Sequence, residues 1–206
     1  MKTLKVFVIA FILPILVFPQ ESSNSYISLN YGSYQFVKNG PTEIYFSDFS
    51  SIVPSITYNY SFADGFSINT KIIYLSHFSS VGDKSGSSYR AADIKEFMLF
   101  PRIEYNFVRL VDFLLATKIG AYAGYVNNYS ETQYYYPYLH ETQYYKSPNK
   151  YIAVGGSAGI TIEYKIMSSK TLLLLNVDYH YAKPGDKSIF GERSGIIIDV
   201  GIGRLL

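Results

Sequence analysis

The sequence runs to 206 residues, one domain's worth with enough length for a sizeable sheet. Its 18 Lys and Arg against 16 Asp and Glu leave a formal charge of +2, far from the basic excess that a nucleic-acid partner demands. It contains no Cys, which excludes a disulfide framework and a thiolate metal centre. Its 22 Tyr and its charged fraction of 17% favour strands and argue against a disordered chain.

Residues 1–20 stand apart. Lys2 and Lys5 precede an apolar run from Val6 to Pro19, broken by Pro14. The run is shorter than the roughly 18 or more residues of a spanning helix and has the layout of a secretory leader. Processing is expected between residues 19 and 23, although no small-x-small triplet marks it, and it leaves 21–206 as one domain. The competing reading is an anchoring N-terminal helix. If Lys2 and Lys5 leave with the leader, the remaining formal charges balance.

Eight extended segments follow, at 26–37, 51–61, 66–78, 93–107, 112–126, 150–166, 171–182 and 195–206. The connections 62–65, 108–111 and 167–170 are short. Those at 38–50, 79–92, 127–149 and 183–194 are long and polar. Strict alternation of short and long connections puts every long loop at one end of an up-and-down sheet. An even strand number with short turns at one end and long loops at the other is the layout of a transmembrane β-barrel.

The strands have two unlike faces. From residue 97 one parity reads Phe97, Leu99, Pro101, Ile103, Tyr105, Phe107, and the other reads Glu96, Met98, Phe100, Arg102, Glu104, Asn106; side chains alternate faces along a strand. With the apolar parity taken as outward, aromatics gather at the short-turn end (Tyr58, Tyr60, Phe66, Tyr105, Phe107, Phe113, Tyr164). A second set gathers at the long-loop end (Tyr31, Tyr74, Tyr125, Tyr179, Tyr181). Two such girdles are expected where a barrel meets both interfaces of a bilayer. The opposite parity carries Lys71, Glu96, Arg102, Glu104, Lys118, Glu163, Lys165, Asp178 and Asp199. Charges enclosed in a narrow lumen must pair, so a near-neutral set is expected there, and Gly120, Gly124, Gly155 and Gly159 on the same parity leave room for them. A solvated face on a secreted sandwich or lipocalin-like barrel is the alternative, and it leaves both girdles unexplained.

A free strand edge has no partner in hydrocarbon, so the first and eighth segments are expected to pair. Pro54 and Pro101 fall inside strands, where each is expected to mark a bulge or a break in a ladder. Arg204 falls on the outward parity, tolerable near an interface.

In strand count, loop alternation, girdles and lumen charges, everything after the leader resembles the small eight-stranded outer-membrane barrels of Gram-negative bacteria, of the outer membrane protein X type and the OmpA transmembrane-domain type. No sequence motif carries the resemblance. Where such barrels usually end in an aromatic, this chain ends Gly203-Arg204-Leu205-Leu206. The resemblance implies an all-β, antiparallel, multi-pass barrel in the bacterial outer membrane. It implies contact with membrane lipid, lipopolysaccharide and the barrel assembly machinery, and a monomer with no cofactor. The absence of an extra soluble domain argues against an envelope tether. Members serve as adhesins, narrow pores, tethers or lipid-modifying enzymes, and fold alone does not choose among these.

Three features bear on that choice. Glu131-Thr132-Gln133-Tyr134-Tyr135 recurs as Glu141-Thr142-Gln143-Tyr144-Tyr145 around Pro137, a repeat suited to a protruding hairpin. With Tyr129, Tyr136 and Tyr138 it offers Tyr-rich contact area for an extracellular ligand or host surface; the plainer reading is an extension of the outer girdle. His180 with Asp178, and Ser188 or Ser194 nearby, is the best available hydrolytic set. It is expected to be a pairing at the lumen rim and not a catalyst, since His180 faces inward. The lumen charges are expected to plug the barrel, with a narrow channel for small or hydrophobic molecules, lined by Ile73, Leu75 and Phe100, as the alternative. The sequence therefore favours a structural or surface-interaction role through the long loops, with no catalytic or metal-binding residue expected.

Overall fold

The protein, seen in a computed structural model, is described over residues 25–37, 51–82, 88–136, 141–166, 169–184 and 193–206. These form eight strands: β1 (Tyr26–Val37), β2 (Ser51–Ala63), β3 (Phe66–Gly82), β4 (Ser88–Arg109), β5 (Phe113–Tyr136), β6 (Glu141–Lys165), β7 (Thr171–Pro184) and β8 (Arg193–Leu205). Each strand pairs antiparallel with its sequence neighbours, and β1 pairs with β8 from Tyr26↔Leu205 to Val37↔Ser194, so the barrel closes with no edge through its body. The expected leader, residues 1–20, and its processing site lie outside the described residues.

The barrel is lopsided. Strands β1, β2, β7 and β8 have 12 to 14 residues, whereas β3, β4, β5 and β6 have 17, 22, 24 and 25. The segment 79–92, read from sequence as a loop, continues the ladder as Ser79↔Ala92 through Gly82↔Tyr89. Likewise 127–149 pairs from Asn127↔Lys150 to Tyr136↔Glu141, and β4 meets β5 as far as Ser88↔Tyr134. The four strands thus rise beyond the others as one ribbon, by about 30 Å along β5 and β6 at the usual rise per residue. Polarity marked 79–92 as a loop, where pairing extends β3 and β4 instead; at 127–149 the ladder forms the protruding hairpin expected from the repeat, whose Tyr residues suit strands. Pro148 lies where β6 pairs with β5 alone, the β6–β7 ladder starting only at Ala153↔Pro184, and a one-sided strand tolerates a missing donor.

Pro54 and Pro101 each interrupt a ladder. The β2–β3 ladder stops at Ser55↔Ile73, next to Pro54, while β1 still pairs with β2 across Tyr31↔Pro54. The β4–β5 ladder skips from Leu99↔Ala123 to Arg102↔Gly120 around Pro101, without a change of register. At the tight β2–β3 turn Gly65 has φ 74°, a left-handed conformation that a side chain would strain.

The faces separate as the alternation requires. Ile198 is 48% exposed, while Lys71, Arg102 and Asp199 are at most 2% exposed. Ile103, Ile119, Val154, Val200 and Ile202 also face outward and are exposed. Aromatics ring the short-turn end, with Phe66 and Tyr105 centroids 4.9 Å apart and Phe62 at 6.5 Å from Phe66. At the opposite end Tyr74 and Phe97 stand 6.1 Å apart, beside exposed Tyr31, Tyr125, Tyr179 and Tyr181. Tyr58 and Tyr60 share the outward parity but are nearly covered by their neighbours.

Candidate functional site

The lumen is filled in layers, and each layer follows from which strands bring inward-facing residues to the same height. Asp178 of β7 is the centre of the middle layer. Its carboxylate takes Lys71 Nζ at 2.7 Å, Arg102 Nη1 at 2.7 Å and Lys118 Nζ at 3.0 Å, from β3, β4 and β5. Lys71 also pairs with Asp199 of β8. Asn176 Nδ2 donates to Asp199 at 2.8 Å, and Asn176 Oδ1 accepts from Lys118 at 3.0 Å and Thr161 at 2.8 Å. Three cations therefore share two carboxylates, with amide and hydroxyl groups filling the shell except at Arg102 Nε, which closes no hydrogen bond. Such a buried network is stable only when its members are satisfied together.

Toward the long loops lies an aromatic layer. The His180 ring stacks on Tyr122 with centroids 4.5 Å apart and 14° between planes, and meets Phe100 edge-on at 5.7 Å. Its Nε2 is 3.2 Å from the Tyr34 hydroxyl, and the Tyr122 hydroxyl donates to Glu96. In one cluster with Tyr34, Phe100 and Tyr122 lie the apolar side chains of Val53, Ile73, Leu75, Ile94, Met98, Val126 and Ile197. Phe100, Ile73 and Leu75, considered from sequence as the lining of a channel, are packed into this cluster with no exposed surface.

Toward the short turns, Glu104 accepts from Asn59 Nδ2 at 2.7 Å and Asn69 Nδ2 at 3.2 Å. Glu163 lies at the same end and, with Glu104, lines a cavity of about 140 Å³ at the lumen mouth. Lys165 departs from expectation. It shares the inward parity but is exposed on the rim of this mouth, because it is the last residue of β6 and stands outside the layer where strands enclose a side chain. The remaining eight charged residues of the sequence-derived set are buried.

Of the hydrolytic set, Ser194 is buried at the start of β8, one residue from Gly195, the ladder partner of His180. Asp178 is committed to three cations, His180 is enclosed by rings, and Ser188 lies outside the described residues. The backbones of Tyr129, Tyr134, Tyr135, Tyr136, Tyr144 and Tyr145 run in the β5–β6 ladder, where the two Glu-Thr-Gln-Tyr-Tyr repeats pair with each other as Thr132↔Tyr145, Gln133↔Tyr144, Tyr134↔Gln143 and Tyr135↔Thr142. Their side chains, and Tyr138 entirely, lie outside the described residues. Sequence reasoning missed the neutral partners, Asn59, Asn69 and Asn176, and the Tyr34–His180–Tyr122 stack. They share the parity of the charges, which is the signal that marks them.

No protein-family model matches the sequence, and no curated protein matches it. Among solved structures the chain is similar to Neisserial surface protein A, at 12% identity and a TM-score of 0.52 over 90% of this chain and 100% of that one. It is also similar to the outer membrane protease OmpT of Escherichia coli, at 9% identity and 0.48 over 91% and 99%. Ail, the attachment invasion locus protein of Yersinia pestis, matches at 10% identity and 0.47 over 89% and 99%. Strand number, closure and the likeness to Neisserial surface protein A give this chain the fold of the eight-stranded bacterial outer-membrane β-barrels.

Proposed function

We propose that the protein is an integral outer-membrane barrel with a plugged lumen that acts by contact, presenting the β3–β6 ribbon to an extracellular ligand or a host surface. The observation that carries its placement is the inversion of polarity: a continuous exposed apolar wall between two aromatic rings surrounds a buried ionic interior. Hydrocarbon rewards the first and only a closed barrel satisfies its backbone. In this reading the short turns face the periplasm, and lipid and lipopolysaccharide surround a monomeric barrel inserted by the assembly machinery.

The interactive role is supported by the ribbon. Strands that continue well past the wall are unnecessary for spanning, and the Tyr-rich repeats at the tip of β5–β6 suit a recognition surface of large area at low entropic cost. The packed lumen favours contact over conduction, and the enclosed His180 favours it over lipid chemistry. Deleting residues 130–146 should leave insertion intact, read as heat-modifiable gel mobility, and abolish adherence of expressing bacteria to cultured cells and matrix-coated plates. Unchanged adherence by a correctly inserted deletion variant rejects the contact role.

A further inference from the structure

Among the described residues, the enclosed charges of the lumen do not cancel. With Lys165 on the rim, the enclosed set holds Lys71, Arg102 and Lys118 against Glu96, Glu104, Glu163, Asp178 and Asp199. The cations are all drawn to Asp178 and Asp199. The negative excess falls partly on Glu104 and Glu163, at the short-turn mouth, which feel Lys118 but close no ion pair among the described residues, and a buried carboxylate without a direct partner is costly.

The same place holds unsatisfied oxygens. Glu104 is served by Asn59 and Asn69. The Tyr26 hydroxyl and the Glu163 carboxylate face each other, yet Glu163 Oε1, the Tyr26 hydroxyl and Asn106 Oδ1 are buried and close no hydrogen bond of normal length. All three residues line the 140 Å³ cavity. Glu163 and Tyr26 are only 8% and 2% exposed, so their polar atoms answer to whatever occupies the cavity and not to bulk water. An ammonium group brings three N–H donors and one positive charge, which answers both the three oxygens and the charge excess. Leu110, Phe113, Leu172 and Leu205 contribute apolar wall around a short carbon chain. The rim carries Arg109 and Lys165 against one carboxylate, Asp112, a net positive edge that suits an anionic group on the outer end of the ligand. A cavity of this size holds about six heavy atoms, by comparison with those that take benzene.

We infer that the short-turn mouth of the lumen is a binding site for a small zwitterionic primary amine, its ammonium group seated on Glu163 beside Glu104, Tyr26 and Asn106 and its anionic end at Arg109 and Lys165. The site does not depend on the β3–β6 ribbon and stands apart from the contact role.

The test is calorimetric titration of β-alanine, which has six heavy atoms, into the folded barrel in detergent micelles. Binding is expected to saturate in the millimolar range or below. Glu163→Gln, nearly the same shape without the charge, should weaken it about tenfold or more, and Tyr26→Phe a few-fold, as expected for loss of a charge-assisted and a neutral hydrogen bond. The N,N,N-trimethyl analogue keeps the charge but has no N–H, and should bind about tenfold more weakly. Absence of saturable heat in the wild type, an unchanged affinity in a correctly folded Glu163→Gln variant, or equal binding of the trimethyl analogue would each overturn the site. Should Glu163→Gln fail to show heat-modifiable mobility, the comparison of the two ligands on the wild-type barrel decides alone.

Discussion

Gly159 lies directly across the β6–β7 ladder from Asp178, and the Asp178 carboxylate occupies the space a side chain on Gly159 would need. A Cβ there would stand 2.8 Å from the Val177 carbonyl oxygen and would strike Asp178 Oδ1, the atom that holds Arg102 and Lys118. Gly159→Val should therefore push the carboxylate off its cations and destabilise the barrel by about 1–3 kcal/mol as overpacking, more if the ion pairs part. Urea unfolding from lipid vesicles measures it.

Removing the carboxylate should do more harm than crowding it. Asp178→Ala leaves Lys71, Arg102 and Lys118 enclosed without the carboxylate they share, with Lys71 still paired to Asp199. Breaking a buried pair by deleting one partner costs about 3–5 kcal/mol. The same urea titration should place Asp178→Ala below Gly159→Val, and a loss under 1 kcal/mol would show that the layer is bathed by water.

The outer wall gives the complementary measurement. Val177 pairs with Ile198 near the middle of the β7–β8 ladder, and both are exposed. In a bilayer, Ile198→Arg should cost about 2–4 kcal/mol, against about 0–1 kcal/mol for Tyr164→Arg at the short-turn ring. Equal small costs at both positions, measured in vesicles, would place the wall in water.

Much of this was legible because a period of two is hard to disguise. The closing strand was readable from Ile196, Ile198, Val200 and Ile202 alternating with Asp199, Gly201 and Gly203, and its pairing with β1 follows from closure. What parity cannot supply is height. Nothing in the sequence tells that Lys165, two residues beyond buried Glu163, is already outside the enclosed layer, nor that Asp178 and not Asp199 collects three cations. Those depend on the stagger between strands far apart in the chain. The lengths of β3 and β4 were misjudged for another reason: polar residues are as compatible with a strand in water as with a loop, and only pairing distinguishes them, whereas the repeat did mark the hairpin of β5 and β6.

Conduction follows from the layers. The ionic layer around Asp178 and the ring layer of Tyr34, Phe100, Tyr122 and His180 each span the interior, and an eight-stranded barrel has room for little beyond its own side chains. Planar-bilayer recordings should show no large, stable steps. Large steps in the wild type would mean that both layers open together.

Pro54 offers a test of how far the wall is limited by one residue. The β2–β3 ladder ends at Ser55↔Ile73 while β3 continues to Gly82 and β2 remains paired to β1 as far as Tyr34↔Ser51. A proline has no N–H to offer, so the side of β2 facing β3 loses a donor at the point where the ladder stops. Pro54 is exposed on the outer wall, so replacement with a residue of good strand propensity should meet no packing penalty. Pro54→Thr is expected to extend the β2–β3 ladder past Ser55, slow amide exchange at Tyr74 to Ser76, and stabilise the barrel by about 0.5–1.5 kcal/mol, the net worth of one hydrogen bond. Unchanged exchange at those amides would mean that the divergence of β2 from β3 is set by the strands' different lengths, and that the proline follows the break instead of making it.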